Sequence, residues 1–463
     1  MTITGPARPS TAAPAGGFGP RFLVPLVLGT LLNAINSSMI AVTLAPIGHD
    51  LGAGAAETVW LVTVLYLATA VAQPVMGRLV DRCGARRVLL TGLWLVCGAG
   101  VLGTLAGSLP MLIAVRVLLG LGTATGFPAA MAIVRARANT LGVAVPGGVL
   151  ATLATSTQAS MAIGPTLGAL LAAVATWRAT FAVNVPIALL GIVLAVRWLP
   201  ADGPRTRSAR ERVDVTGVVL FAVALVALLL FMLRPEQALW PSLAVGLLLS
   251  GALVWWELRA ADPFLDLRAL GGNGPLVATY LRQALAYLAI YAFLYGYPQW
   301  LAQSDRLPET TIGLALLPMS VTTVTLSALG TRLGLGVWSR LLLTGGALFA
   351  GALALLLTGA GTAMWLLVAI GFLFGVGQGL STVANQTALY VQAPAERIGT
   401  LSGLFRTSQY LGALASTSVI ALSFGERATD SGLGTLALVL LVTAALLLCV
   451  TGVDRGLRRV PTH

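Results

Sequence analysis

Residues 77–90 read GRLVDRCGARRVLL and form a short charged segment between two long apolar runs. The segment holds one aspartate and four arginines, whereas charged residues make up only 10% of the whole chain. A helix of about 20 apolar residues crosses the hydrocarbon core of a bilayer, and a backbone in lipid must satisfy its own hydrogen bonds. The segment is therefore predicted to connect two membrane-spanning helices at the membrane surface.

The same alternation of apolar runs and short charged connections continues along the 463 residues. It predicts an all-α polytopic membrane protein with fourteen spans. The predicted spans are 22–45, 57–79, 88–107, 110–131, 145–173, 177–198, 214–233, 239–256, 275–298, 310–331, 338–358, 363–386, 399–422 and 432–452.

The longest polar connection, PADGPRTRSARERVD at 200–214, divides the spans into six, then two, then six. A faint repeat supports the division, because RVLLGLGTATG from Arg116 matches GFLFGVGQGLS from Gly371, and internal repeats are common in transporter folds. The predicted organisation lists a disordered cytoplasmic tail at 1–21, a six-helix bundle at 22–199, a linker with two further helices at 200–273, a second six-helix bundle at 274–454 and a cytoplasmic tail at 455–463.

Arginine predicts the orientation, since the chain contains no lysine and all 28 basic residues are arginines. When arginines at the end of a span are counted with the side on which they lie, twenty-one lie on the side that carries both termini and four lie on the other side. The remaining three, Arg116, Arg282 and Arg406, lie within spans. The positive-inside rule therefore places both termini in the cytoplasm. Arginine without lysine, together with abundant Ala, Gly, Leu and Val, is typical of a bacterium with a GC-rich genome, so we expect a bacterial plasma membrane.

The chain lacks the residues that several classes of function require. Two histidines and three cysteines provide no metal-ligand spacing and no hydrolytic triad, so we expect no metal, no cofactor and no enzyme activity. A phosphate-binding loop for ATP requires a lysine, and the chain has none, so we do not expect ATP to supply the energy. The net charge of +12 follows from the membrane topology, so no nucleic-acid partner is expected.

The segment at 77–90 resembles the signature cytoplasmic loop of the major facilitator superfamily. AIGPTLGA in span 5 resembles the antiporter motif of the exporters in this superfamily. Three segments resemble its fourteen-span drug:proton antiporter branch, namely WRATFAVNVP at 177–186, PFLDLRAL at 263–270 and SGLFRTSQYLGA at 402–413. The resemblance implies two six-helix bundles with spans 7 and 8 as the additional pair. The residues that it assigns to gating are Gly77, Asp81, Arg82, Gly84, Arg86, Gly164 and Pro165.

This fold implies a central cavity lined by spans 1, 4, 9 and 12, and those spans carry polar or tyrosine stripes at helical spacing. Such stripes also arise where polar groups or tyrosines only pack neighbouring helices. The predicted substrate-binding residues are Asn33, Asn36, Ser37, Arg116, Thr123, Tyr280, Gln283, Tyr287, Tyr291, Gln378, Thr382 and Asn385.

Arg116 is the strongest single candidate among these residues, because a cation at bilayer depth is costly unless it is paired or hydrated. No carboxylate lies inside a predicted span beyond its first residue, and Asn36 stands where relatives in this branch commonly keep an acid. Either transport is weakly coupled to the proton gradient, or protons enter through a peripheral acid or through the substrate itself. The peripheral candidates are Asp81, Glu57 and Asp214.

The leading interpretation is a secondary active transporter that exports a lipophilic or aromatic small molecule by alternating access, linked to the proton gradient. We expect it to act as a monomer, with membrane lipid, the small molecule and protons as its partners. One alternative is a facilitator or importer of an anionic metabolite that uses Arg116 as counter-ion. Another alternative is a membrane sensor that moves no substrate.

Overall fold

The computed structural model describes residues 17–40, 43–53, 55–58, 60–202, 214–233, 240–260, 263–265, 267–303, 309–329, 333–359, 361–425, 428–454 and 456–457. All regular structure in these ranges is helical. The long helices, labelled α1 to α14, are α1 Pro20–Met39, α2 Trp60–Cys83, α3 Ala85–Thr104, α4 in two segments, Leu109–Thr123 and Gly126–Leu141, α5 Gly147–Val174, α6 Asn184–Trp198, α7 Val215–Leu233, α8 Trp240–Glu257, α9 Gly274–Gln303, α10 Glu309–Leu329, α11 Val337–Leu356, α12 Met364–Gln392, α13 Ile398–Phe424 and α14 Asp430–Val453. Short helices occupy Leu44–Leu51, Ala55–Thr58, Ala179–Ala182, Leu267–Gly271 and Ala395–Arg397.

Each predicted span coincides with one of these helices. Within the described residues, nine helices are long and apolar enough to cross a membrane, and two shorter apolar helices occur at Val215–Leu228 and Ala315–Leu329. The all-helical membrane fold is thus confirmed, whereas the number of crossings stays a prediction. The predicted tail at 1–21 lies largely outside the described residues, as do most of the 200–214 connection and the tail at 455–463.

The largest boundary difference is at span 4, which is predicted to end at 131 although the second segment of α4 continues to Leu141. Smaller differences occur elsewhere, among them those at the first three spans. α1 ends at Met39, so the predicted span 22–45 is too long at its second end. The charged segment at 77–90 is not an extended loop, because α2 continues to Cys83 and α3 begins at Ala85. Hydropathy misses these turns because polar side chains at a helix end reach out of the apolar layer while the backbone remains helical.

Helix contacts arrange the chain as two halves with an additional pair. Within the first half α1 packs on α5 and α6, and α2 packs on α4; within the second half α9 packs on α13 and α14, and α10 and α11 pack on α12. The halves meet where α2 lies along α13, where α5 lies along α10 and where α4 contacts α13. The additional helices α7 and α8 pack on each other, and α7 contacts both α2 and α13.

The faint sequence repeat corresponds to equivalent packing in the two halves. On α4, Gly120 faces α2 and Gly122 faces α3. On α12, Gly375 faces α10 and Gly377 faces α11. In the order of the chain, α10, α11 and α12 of the second half correspond to α2, α3 and α4 of the first half. The matched glycines therefore make equivalent helix contacts in both halves. Small residues let helices in a membrane approach closely.

Candidate substrate site and gate

Asp81 joins the two halves through the first turn of α13. Its Oδ1 accepts a hydrogen bond from the Gly399 backbone N–H at 2.8 Å, and its Oδ2 accepts from the Thr400 N–H and hydroxyl, both at 2.7 Å. The first N–H groups of a helix have no partner within that helix, and the positive end of the helix dipole favours an anion there. Asp81 on α2 therefore serves as the N-terminal cap of a helix in the opposite half.

Gly77 makes this contact possible because it lets the two backbones meet. A Cβ built at Gly77 would lie 2.2 Å from the Gly399 carbonyl oxygen, which is far inside van der Waals contact. One turn further along α13, a Cβ at Gly403 would lie 2.3 Å from the Gln73 carbonyl oxygen. The α2–α13 contact is therefore backbone against backbone over two turns.

A second contact closes the same end of the molecule, which we call the Asp81 end. The Arg135 guanidinium on α4 donates to the Tyr390 carbonyl on α12 at 2.8 Å and lies 5.7 Å from the centre of the Tyr390 ring. The Tyr390 hydroxyl in turn donates to the Met131 carbonyl on α4. The two halves thus touch at two separate places at the Asp81 end.

The remaining residues predicted to act in gating lie in the first half. Gly84 has φ of +108°, a conformation that L side chains rarely adopt, and it forms the turn between α2 and α3. Arg86 donates from Nε to the Ala195 carbonyl at 3.2 Å and from a terminal nitrogen to the Val196 carbonyl at 2.5 Å, both at the end of α6. Arg82 is half-buried in the last turn of α2.

The span 5 motif lies against α1. A Cβ built at Gly164 would lie 1.8 Å from the Ser38 hydroxyl oxygen, so α5 and α1 are in close contact there. The backbone of Pro165 belongs to α5, while its side chain lies outside the described residues. Neither residue makes a described contact between the halves.

Sequence reasoning missed Asp202, which follows α6. Its two carboxylate oxygens accept hydrogen bonds from the backbone N–H groups of Arg86 and Arg87, both at 3.1 Å, in the first turn of α3. Asp202 is therefore a second carboxylate that caps a helix from outside that helix. The only sign of this role in the sequence is the acid itself, which lies in the PADGP segment directly after span 6.

Arg116 is fully buried and is satisfied by backbone carbonyls. Its Nε donates to the Leu61 carbonyl at 2.8 Å, and both terminal nitrogens donate to the Asn36 carbonyl at 3.2 Å. These contacts hold the ends of α1 and α2 against α4. They supply hydrogen bonds without a neutralising charge.

The Asn36 side chain turns away from Arg116 and pairs with Asn184 on α6. The Asn36 amide donates to Asn184 Oδ1 at 2.6 Å, and the Asn184 amide donates back to Asn36 Oδ1 at 3.1 Å. Asn36 Nδ2 also donates to the Leu32 carbonyl at 2.8 Å. This reciprocal amide pair lies within the first half.

Asn33, in contrast, contacts both halves. Its amide nitrogen donates to the Thr123 hydroxyl on α4 at 3.0 Å, and its Oδ1 accepts from the Tyr410 hydroxyl on α13 at 2.6 Å. Ser37 lies one turn on and donates to the Asn33 carbonyl at 2.8 Å. Three of the predicted residues, Asn33, Ser37 and Thr123, are thus brought together at the interface of the halves.

Tyrosines form an aromatic cluster at the same interface. Tyr287, Tyr291 and Tyr295 follow one face of α9, with ring centres 5.6 and 5.5 Å apart. Tyr66 of α2 and Tyr410 of α13 lie beside them, with ring centres 6.0 Å apart. We call these five residues the tyrosine cluster.

Tyr280 lies apart from the tyrosine cluster. Its hydroxyl donates to the Leu401 carbonyl near the start of α13 at 3.0 Å, so it belongs to the Asp81 end. The spacing on α9 places four tyrosines on one face of the helix, namely Tyr280, Tyr287, Tyr291 and Tyr295. This face begins at the Asp81 end and continues along the interface between the halves.

The predicted residues of α12 form a buried polar strip. The Thr323 hydroxyl on α10 donates to Gln378 Oε1 at 3.2 Å, and Thr382 donates to the Gln378 carbonyl at 2.9 Å. Asn385 donates to the Ser381 hydroxyl at 3.1 Å, and among the described residues its Oδ1 has no donor. The strip is therefore partly satisfied within the second half.

The two other arginines within the spans differ from each other. Arg282 forms a buried ion pair with Asp454 at 2.9 Å at the end of α14. Arg406 donates to Gln409 Oε1 at 2.9 Å, and its guanidinium lies 3.9 Å from the centre of the Phe127 ring on α4. Arg406 therefore lies between the halves beside the predicted Gln283, which donates to the same Gln409 oxygen at 3.4 Å.

A sequence profile described as Major Facilitator Superfamily matches residues 26–417. The chain belongs to the major facilitator superfamily. It is accordingly a multi-pass membrane transporter and not an enzyme, and the two-bundle fold inferred from the signature segment is confirmed.

Similar proteins support this assignment across nearly the whole chain. An uncharacterized MFS-type transporter of Bacillus subtilis, YwoD, is 32% identical over 93% of this chain and 96% of its own length. The tetracenomycin C resistance and export protein of Streptomyces glaucescens is 27% identical over 88% of this chain and 76% of its own length. The crystal structure of the human organic anion transporter MFSD10 superposes with a TM-score of 0.66 at 16% identity, covering 92% of this chain and 99% of that one, which shows likeness of fold alone.

Proposed function

We propose that this transporter exports a lipophilic or aromatic small molecule from the bacterial cytoplasm by alternating access. The observation that carries the proposal is an interface region that holds the tyrosine cluster together with Asn33, Ser37 and Thr123 and is closed at the Asp81 end. Aromatic side chains offer a large apolar surface with a polar edge, which suits flat ligands with polar substituents. The similarity to an export protein of another bacterium supports the outward direction.

Accumulation of aromatic dyes and antibiotics in an efflux-deficient bacterial host tests this function. We expect cells that express the protein to accumulate less of at least one compound than cells that carry the empty vector. Cells expressing Gly98→Ala are the matched control, because a Cβ at Gly98 meets nothing within 4 Å. Equal accumulation with and without the protein, at verified membrane insertion, would contradict export.

We further propose that proton coupling passes through Asp81. Protonation would remove the negative charge that the α13 N-terminus favours, and it would weaken the hydrogen bonds that join the halves. Asp214 makes its contacts elsewhere, since its Oδ1 accepts from the Gly217 N–H at 2.8 Å and from the Trp256 indole at 2.9 Å within the α7–α8 pair. Glu57 lies in the short helix Ala55–Thr58.

Substrate-driven proton movement in proteoliposomes tests this route. Asp81→Asn is expected to uncouple proton movement from transport of a non-ionisable substrate, whereas Asp214→Asn is expected to leave the coupling in place. Coupling that survives Asp81→Asn at the wild-type proton-to-substrate ratio would exclude Asp81 as the route.

The proposed orientation places the Asp81 end and both termini in the cytoplasm. Ser208 lies in the 200–214 connection, outside the described residues, and offers a position for a reporter thiol. With the native cysteines removed, Ser208→Cys should react with an impermeant maleimide only after the cells are opened. Labelling in intact cells would reverse the orientation.

A further inference from the structure

Arg406 has the least complete hydrogen bonding of the three arginines within the predicted spans. It is 8% exposed, and its one described hydrogen bond goes to the Gln409 amide oxygen. Among the described residues its Nε has no acceptor. Arg282 is neutralised by Asp454, and Arg116 donates three times to backbone carbonyls.

Gln283 shares this deficit. Its amide nitrogen reaches the same Gln409 oxygen at 3.4 Å, so one neutral acceptor serves two donors from α9 and α13. Gln283 is 1% exposed, and its Oε1 has no donor within the described part of the chain. A buried polar group without a partner is costly, and a buried cation without a counter-charge is more so.

The incompletely hydrogen-bonded atoms of Arg406 and Gln283 lie in the region of the proposed substrate site. The Arg406 guanidinium lies over Phe127 of the first half. Tyr410 of the tyrosine cluster lies one helical turn from Arg406 on α13, and Tyr287 lies one turn from Gln283 on α9. An aromatic ligand packed on these rings would place a substituent beside the guanidinium. No described ion pair supplies Arg406 with a carboxylate of the protein.

We propose that Arg406, Gln283 and Gln409 form the subsite for an anionic oxygen group on an aromatic substrate. This inference deepens the export function proposed above and rests on it. The anion would accept from the Arg406 guanidinium and from the Gln283 amide, which frees the shared Gln409 oxygen from one of its two donors. A fixed positive charge at this point also disfavours cationic compounds, so the preferred substrates are aromatic acids. The structure thereby favours Arg406 over Arg116 as the counter-ion.

Binding of a matched acid and ester to the purified protein tests the subsite. The probes are 1-pyrenebutyrate and its methyl ester, which differ in charge at the same substituent. We expect the wild type to bind the acid about tenfold or more tighter than the ester, because hydrogen bonds to charged groups are the strong ones. Arg406→Gln should weaken binding of the acid by about tenfold to a hundredfold and change binding of the ester by less than about threefold.

Two further variants separate this role from a structural one. Arg406→Lys keeps the charge and should keep most of the preference for the acid, which a purely structural arginine would not explain. Arg340→Gln removes another buried arginine, at the start of α11, and should change binding of neither probe. Each variant is compared at a verified monodisperse elution and unfolding temperature.

Three results would overturn the subsite. They are a wild type that binds acid and ester equally or binds neither, an Arg406→Gln variant that loses both probes alike, and an Arg406→Gln variant that loses neither. Export of neutral aromatic compounds would stand in all three cases. If instead the acid binds through Arg406 but no compound is exported from proteoliposomes or cells, the export function fails and the subsite remains.

Discussion

Asp81 and Asp202 perform the same chemistry in two regions of the molecule. Each carboxylate accepts hydrogen bonds from backbone N–H groups in the first turn of a helix to which it does not belong. Asp81 caps α13 in the opposite half, whereas Asp202 caps α3 within its own half. A contact between the halves must break when the transporter changes conformation, and a contact within one half need not. We therefore propose that the same interaction is a gate in one place and a structural support in the other.

Glycine leaves room for the carboxylate in both places. A Cβ at Gly399 would lie 2.4 Å from Asp81 Oδ1, and a Cβ at Gly84 would lie 2.3 Å from Asp202 Oδ2. The surroundings of the two caps are therefore matched, so their consequences for transport and for stability can be compared by substitution.

The largest effect is expected where the backbones of the two halves meet. Gly77→Ala places a methyl group 2.2 Å from the Gly399 carbonyl oxygen, and neither backbone can yield without separating α2 from α13. We expect transport to fall by about tenfold or more, since packed interfaces are bistable and do not deform continuously. Efflux rates at equal membrane insertion measure the loss, with Gly98→Ala as the unaffected control. Normal transport by Gly77→Ala would show that this contact is not part of the cycle.

Removing the charge at the gate should have a smaller effect on transport. Asp81→Asn leaves one acceptor oxygen where two carboxylate oxygens now accept three hydrogen bonds. Because one acceptor oxygen remains, the contact weakens by about 1 kcal/mol, which shifts the balance between conformations by about fivefold, and transport slows accordingly. The variant should insert and unfold like the wild type. A wild-type transport rate at normal insertion would refute the gate.

The matched change at Asp202 should lower stability and spare transport. Asp202→Asn weakens the cap of α3, so the free energy of unfolding should fall by about 1 kcal/mol. Transport per inserted molecule should stay within about twofold of the wild type, because no half-to-half contact is lost. Thermal unfolding and efflux, measured on the same preparation, check both parts. Slowed transport without a loss of stability would reverse the roles of the two caps.

The smallest effect is expected at Asp50, an exposed carboxylate outside the spans. The hydrogen bond from Arg178 at 2.8 Å, aided by the Trp177 indole at 3.0 Å, lowers the pKa of Asp50 below its usual value of 3.8. A lowered pKa contributes stability above pH 3.8, and the contribution is lost as the pH falls through the folded-state pKa. Asp50→Asn should therefore unfold slightly earlier at neutral pH and match the wild type in strong acid. Solvent screens this pair, so the difference in stability between the variant and the wild type should be small. A large difference in stability at neutral pH would contradict the expectation of a weak surface contact.

The sequence predicts the helices well because apolar length and charge-free composition are local properties of the chain. It also predicts helix-terminus contacts for Asp81, since an acid and several cations beside a tight turn lie at helix ends. The partner of a buried polar group is not local. Asn36 pairs with Asn184, 148 positions away, although its helical spacing alone is equally compatible with a cavity.

Asp202 and Arg406 illustrate the same limit. Asp202 lies in a polar connection, and only the return of α6 to the start of α3 gives it a cap to form. Arg282 and Arg406 look alike in sequence, each within a span, yet one meets Asp454 and the other meets an amide and a ring. Predicted site residues such as Gln378 and Thr382 stay predictions until a ligand is bound.

Distances between the halves at the Asp81 end test the gate most directly. Asn139 on α4 and Glu396 before α13 are exposed and suit spin labels in a background without Cys83, Cys97 and Cys449. Double electron–electron resonance in proteoliposomes should show that Asp81→Asn raises the population of long distances, while Asp202→Asn gives the wild-type distribution. A distribution unchanged by Asp81→Asn, or changed equally by Asp202→Asn, would contradict the claim that Asp81 holds the two halves together in one conformation.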